Sequence, residues 1–324
     1  MLSVHVPRGT SLDRIPIEPG GEIPDRAVWL DLFSPSQEED KLVERTFGIA
    51  VPTREEMQEI EVTSRLYVEN GARYMTATLM CHSDSDVPRT TAVTFILAGH
   101  RLTTVRYDEP KPFAIVGAKL ARHCPSTATG ETVMMDLLDA VIDRAADILE
   151  RIGTEVDSAS HDILEPEGGA DRTRSFKQIL KTIGRKGDQT SKVRESLVSI
   201  GRLLLYLANE ADTTKWAKEQ RAALKGMQRD VQSLSDHATY LSGKINFLLD
   251  AILGVVSLEQ NNIIKIFSVA AVVFMPPTLV ASIYGMNFKH MPELDYNYGY
   301  PLALILMLLA AVVPYFFFKW MKWL

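Results

Sequence analysis

The chain has 324 residues, 46% of them hydrophobic, and a formal charge of −6. That length exceeds one typical domain of about 100 to 200 residues, and the acidic balance excludes the basic face by which a nucleic-acid binder is recognised. The apolar residues are unevenly spread: residues 266–288 and 296–318 run without Asp, Glu, Lys or Arg, whereas residues 1–260 have the mixed composition of soluble protein.

The opening stretch, MLSVHVPRGTSLDRIPI, lacks the basic start and apolar core of a secretory signal. It predicts an N-terminal part that stays in the cytosol. Cys81 and Cys124 lie far apart there, and in a reducing compartment they read as small buried hydrophobes rather than a disulfide.

Residues 27–33 (AVWLDLF) predict a strand, and Ser34-Pro35 followed by Glu38 and Glu39 predicts a helix running to about Gly48. Residues 65–69 and 73–81 alternate across Asn70-Gly71, a hairpin signal, and residues 92–98 and 101–106 do so across Gly99-His100. A small sheet with flanking helices over residues 1–130 accounts for this pattern.

From about Glu131 the period changes to that of a helix. Leu137, Leu138, Val141, Ile142, Ala145, Ile148, Leu149, Ile152 and Val156 recur every three or four residues as one apolar stripe. Residues 165–169 (EPEGG) break this helix, a second is expected from about Asp171 to Asn209, and a third begins near Thr214. No proline interrupts residues 214–275, so the third helix is free to run about 90 Å at 1.5 Å per residue. Residues 131–171 hold twelve Asp or Glu against only Arg144 and Arg151. That excess reads either as a solvated face or as an attractor of cations.

Each uncharged run has about the 20 residues that carry a helix across a bilayer. The expected organisation is therefore an α+β cytosolic domain (1–130), a cytosolic long-helix region (131–260) and a transmembrane domain (261–324), with helices at about 262–284 and 300–318 and an outer loop at 285–299. Lys265 precedes the first span and Lys319 and Lys322 follow the second, while the connection carries Glu293 and Asp295 against Lys289. By the positive-inside tendency both termini face the cytoplasm. Tyr315, Trp320 and Trp323 read as anchors at the inner interface.

The first span carries a polar stripe. Asn261, Ile264, Ser268, Ala271, Met275, Thr278 and Ser282 share one face, which suits a pore lining and equally suits helix packing in a membrane. Pro276 and Pro277 leave the carbonyls of Val272 and Val273 without helical donors, and water in a pore satisfies such groups. The second span is apolar all round and is expected to face lipid. Two helices cannot enclose an aqueous path, so a pore requires several copies of the chain.

Tyr284-Gly285-Met286-Asn287-Phe288 ends the first span, Met291-Pro292-Glu293-Leu294 follows, and the chain closes on KWMKWL. This arrangement, with IIKIFSVAAVVFMPPTLVAS before it, resembles the CorA family of magnesium and cobalt transporters over residues 245–324. The resemblance implies a funnel-shaped homopentamer in the inner membrane that takes up magnesium down its electrochemical gradient, with cobalt and nickel as further substrates and cytosolic magnesium as the gating ligand. It assigns Gly285, Met286 and Asn287 to the outer mouth, where Asn287 would bind the hydration shell of the ion. Met275 and Thr278 would line the narrow middle, Ile264 and Phe267 a hydrophobic constriction, and Asn261 the inner mouth. Other members often carry Met and Leu at the positions of Ile264 and Phe267. Glu293 is either an acidic attractor at the mouth or a solvated charge. Asp230, Asp236 and Asp250 are candidates for the regulatory metal site.

Two rival readings remain open on the sequence. A zinc transporter of the same superfamily typically carries Ile where Met286 stands. A membrane-tethered enzyme or sensor would need chemistry of its own, and the chain has no phosphate-binding loop, no His-Glu-x-x-His and no paired-Cys zinc site.

Overall fold

The computed structural model describes residues 1–18, 20–85, 87–124, 128–164, 172–287 and 297–321. By packing, the chain forms two units, Met1–Leu248 and Leu249–Leu324.

In the first unit, strands β1 (Leu2–Arg8), β2 (Ser11–Ile17), β3 (Trp29–Phe33), β4 (Leu66–Glu69), β5 (Ala72–Cys81), β6 (Arg89–Ala98) and β7 (Arg101–Arg106) form one sheet. Their order is β2-β1-β3-β7-β6-β5-β4, antiparallel throughout except between β3 and β7. The β4–β5 hairpin turns on Asn70 (φ 50°) and Gly71 (φ 79°), the left-handed pair that matches strand twist in a two-residue loop. A further hairpin, β1–β2, turns at Gly9 (φ 63°); the sequence reading did not anticipate it.

The cap of helix α1 (Gln37–Phe47) falls two residues after the expected Ser34. Ser36 is its cap: its hydroxyl accepts from the Glu39 amide at 3.3 Å, and the Glu39 carboxylate accepts from the Ser36 amide at 2.9 Å. The short helices α2 (Arg54–Met57) and α3 (Val62–Arg65) follow. Val43 of α1 and Met57 of α2 close one face of the sheet over Leu2, Val4, Leu30, Leu32, Tyr74, Ile96 and Val105.

The opposite face is covered by α4 (Lys111–Arg122), α5 (Gly130–Leu164) and α6 (Arg172–Thr213). Phe113 of α4 lies 6.2 Å from Trp29 and 6.3 Å from Phe95 between ring centres. All nine members of the α5 stripe, Leu137 to Val156, are buried, at about 1.5–3 kcal/mol for each large apolar side chain. Cys81 and Cys124 are both buried and unbonded to each other. Burial pushes the Cys81 thiol up to about 12, so it is inert.

A charged pair is enclosed in the same layer. Arg106 donates to both oxygens of Asp31, at 3.0 and 2.8 Å, and its guanidinium also lies 4.9 Å from the Phe113 ring centre. The Thr104 hydroxyl donates to Asp31 at 2.9 Å and accepts from the Trp29 indole at 3.0 Å. Every formal charge in this cluster is thereby matched, the condition under which a buried pair is tolerable.

Helix α7 (Lys218–Tyr284) contributes to both units, and α8 (Gly299–Trp320) completes the second. Both are long and apolar enough to cross a membrane, with mean hydropathies of 2.1 and 2.4 in their most apolar windows. Helix α7 ends at Tyr284 and α8 begins at Gly299.

Candidate functional site

In the second unit, α7 has two contrasting sides. Val269 is buried and Lys265, Val273, Pro276, Val280 and Tyr284 are partly covered, so this stripe is the side turned into the unit. Asn261, Ile264, Phe267, Ala271, Met275, Thr278 and Ser282 are all exposed. At 3.6 residues per turn the two sets point in roughly opposite directions. The stripe singled out in the sequence lies within the larger part of the helix surface that the chain leaves uncovered, which also carries Ile263, Ile266, Phe274 and Leu279; Ile264, Phe267 and Met275 are 61%, 71% and 68% exposed.

The helix passes through Pro276 and Pro277 without a break. Beside them the Thr278 hydroxyl donates to the Phe274 carbonyl at 2.7 Å. That bond uses the hydroxyl proton and leaves its lone pairs free, so Thr278 offers an acceptor on the exposed side. Helix α8 is covered at Ala303 and exposes Leu304, Leu308, Val313 and Phe317, the distribution of a helix with a lipid-facing surface.

After Tyr284 the chain leaves the helix through a turn, with the Gly285 amide donating to the Ala281 carbonyl at 3.0 Å and the Met286 amide to the Ile283 carbonyl at 3.2 Å. A Cβ on Gly285 would stand 3.2 Å from the Ala281 carbonyl oxygen. Glycine thus lets the helix end tightly, directly before Met286 and Asn287, which are both exposed. Glu293, Asp295, Lys289, Lys322 and Trp323 lie outside the described residues, as does the 165–169 break.

The three acids considered for a regulatory metal are all exposed on α7. Six residues separate Asp230 from Asp236 and fourteen separate Asp236 from Asp250, so by helix geometry Asp230 points away from the other two, and Asp236 and Asp250 stand roughly 21 Å apart along the axis. No three His, Cys, Asp or Glu side chains converge as metal ligands among the described residues. Within one chain these acids do not make a magnesium site.

The acidic helix α5 is more fully paired than its composition suggests. Lys119 meets Asp136 at 2.9 Å, Lys186 meets Glu155 at 2.6 Å, and Lys244 meets Asp157. Its two bases, Arg144 and Arg151, both close on Asp84 in the β5–β6 loop, at 2.7 and 2.6 Å, where Lys111 joins them. These cations hold the Asp84 carboxyl well below the usual carboxylate range.

A family model described as CorA-like Mg2+ transporter protein matches residues 24–320. The chain belongs to that family. It is 35% identical, over the whole of both sequences, to a protein of Pasteurella multocida named magnesium transport protein CorA. It is 34% identical over the same full span to the proteins of that name from Salmonella typhimurium and Escherichia coli. The fold matches the complete CorA magnesium transporter structure of Methanocaldococcus jannaschii with a TM-score of 0.78, at 17% identity and over 100% of this chain and 99% of that one. The cytoplasmic domain of ZntB from Vibrio parahaemolyticus matches with a TM-score of 0.56 over 79% of this chain and 97% of that one, at 9% identity. Membership sets the chain among transport proteins rather than enzymes.

Proposed function

We propose that this chain is one subunit of a homo-oligomeric channel, a pentamer in the inner membrane with both termini cytoplasmic, that admits hydrated magnesium into the cell. The observation that carries this reading is the uncovered stripe of α7, which runs opposite the covered one and leads to Gly285-Met286-Asn287. Copies that turn this stripe toward a common axis enclose a path lined by Asn261, Ala271, Met275, Thr278 and Ser282, with α8 outside.

Magnesium dehydrates reluctantly and usually keeps several waters. A ring of Asn287 amide oxygens at the outer mouth accepts hydrogen bonds from those waters without binding the dication as tightly as carboxylates would. Thr278, with its proton committed to Phe274, presents a second ring of acceptors. Ile264 and Phe267 supply an apolar constriction that closes by dewetting. Entry needs no nucleotide hydrolysis, because two charges moving inward at 100 mV gain about 4.6 kcal/mol.

Cobalt and nickel belong to the same proposal as further hexahydrated substrates, and zinc is the competing substrate. Gating by cytosolic magnesium is proposed with any ion held between copies, since Asp230, Asp236 and Asp250 form no site within one chain. Glu293 would concentrate cations at the mouth. Uptake of magnesium, cobalt and zinc into proteoliposomes tests the reading: magnesium entry that follows an imposed potential is expected, and zinc-only transport would overturn it.

A further inference from the structure

We infer that the soluble unit carries a binding site for a nucleoside polyphosphate, in the groove between α6 and the β4–β5 edge of the sheet. A cavity of about 550 Å³ lies there, within the size range of small-molecule sites. Arg65, Arg194 and Arg202 line it together with the apolar side chains of Ile60, Leu66 and Val198. A second cavity of about 280 Å³ shares Arg65, Thr78 and Glu195 with the first and adds Arg54 and Arg89.

Five guanidinium groups thus face two carboxylates, Glu195 and Asp108, in a chain whose overall charge is −6. Asp108 is already engaged, meeting the His82 ring at 3.0 Å and accepting from the Glu109 amide at 2.8 Å. Other arginines of this unit are matched to acids, Arg106 to Asp31, Arg73 to Glu210, and Arg144 and Arg151 to Asp84, while Arg14, Arg101 and Arg122 bond to neutral oxygens. Those of the groove are not matched to an acid among the described residues. Arg65 is oriented by neutral acceptors, the Thr78 hydroxyl at 3.0 Å and the Glu59 carbonyl. The side chains of Arg89, Arg194 and Arg202 have no hydrogen-bond or ion-pair partner among the described residues.

Guanidinium forks without an acid partner, one of them held in place by neutral oxygens, are suited to bidentate phosphate recognition. Their spread over two joined cavities calls for more than one phosphate. The apolar wall and the guanidinium planes accommodate the flat face of a base, which separates a nucleotide from a bare anion.

Equilibrium dialysis of the full-length protein in detergent against labelled ATP, with EDTA present so that metal binding plays no part, tests the site. Inorganic triphosphate and adenosine serve as competitors. Saturable binding of one ATP per chain is expected, with triphosphate at least tenfold weaker and adenosine without effect. Arg194→Gln combined with Arg202→Gln removes exposed groups that hold nothing within the chain, so the fold is preserved, and it should weaken ATP at least tenfold. A matched thermal unfolding curve checks that preservation. Arg65→Lys keeps the charge but loses the fork and should also weaken binding. Failure of ATP to bind at millimolar concentration, wild-type affinity in the double variant, or triphosphate binding as tightly as ATP would each overturn the inference.

Discussion

The Thr278 hydroxyl sits 2.7 Å from the carbonyl oxygen of Phe274, one turn back on the same helix. The contact adds a second donor to a carbonyl beside the Pro276-Pro277 pair, and it fixes which part of the hydroxyl faces outward. Thr278→Val keeps the shape but removes the acceptor. With one hydrogen bond worth about 0.5–1.5 kcal/mol, magnesium flux should fall a few-fold to about tenfold while the detergent-extracted oligomer keeps its size. Unaltered flux would mean that hydrated ions make no use of this ring.

Phe267 projects from the uncovered stripe and is 71% exposed in the single chain. If an apolar ring at this level shuts the pore by excluding water, Phe267→Ser hydrates it. A standing current at high magnesium is then expected in planar bilayers, where the wild-type channel closes. A variant that still closes fully moves the constriction to Met275.

His5 stacks on Trp29 with ring centres 4.1 Å apart and is buried in the sheet. Burial, aided by Arg14 and opposed by Asp31, lowers its pKa to about 4. The unfolded chain takes up a proton near the ordinary 6.5 while the folded one does not, so stability is full above that value and falls as the pH drops toward the folded value. Between pH 6.5 and 5 the loss amounts to about 2 kcal/mol. Thermal unfolding of the solubilised protein across this range should show a slope that His5→Phe flattens. Equal slopes in the two proteins would assign the acid sensitivity to other groups.

Local signals in the sequence translated directly into structure. Asn70-Gly71 and Gly99-His100 became hairpins, the α5 stripe became core, and the uncharged runs fall largely within the helices α7 and α8. The β1–β2 hairpin carries its own signal, with Leu2, Val4 and Val6 alternating before the left-handed Gly9. Helix α4 was missed although Phe113, Val116 and Leu120 are spaced as a helix face. The parallel pairing of β3 with β7 and the Asp31–Arg106 pair were not legible, since partners some 75 residues apart leave no periodicity to read. At the candidate site the motif and stripe were visible as residue types. Their placement opposite the covered side of α7 required coordinates.

Asp139 of α5 has its carboxyl pushed up by burial, with the charges of Asp143, Asp136 and Asp230 adding to it and Lys119 opposing. Negative charge therefore remains in excess on this part of the surface despite the three lysine pairs. If copies of the soluble unit pack side by side, divalent cations relieve the repulsion and favour the closed arrangement. Protease resistance of the soluble unit should rise from EDTA to millimolar magnesium, and Asp230→Asn with Asp236→Asn should weaken that protection. Cleavage indifferent to magnesium would make these acids solvated groups with no part in gating.

The central claim is that Gly285-Met286-Asn287 recognises the hydrated ion at the mouth of a channel built from α7. Magnesium uptake into proteoliposomes under an imposed inside-negative potential, compared between the wild-type protein and Asn287→Ala, tests it most directly. The wild type should accumulate magnesium in proportion to the potential, and the variant, reconstituted as an oligomer of the same size, should lose uptake by a factor of about one hundred or more. Equal uptake by the two proteins would contradict the account.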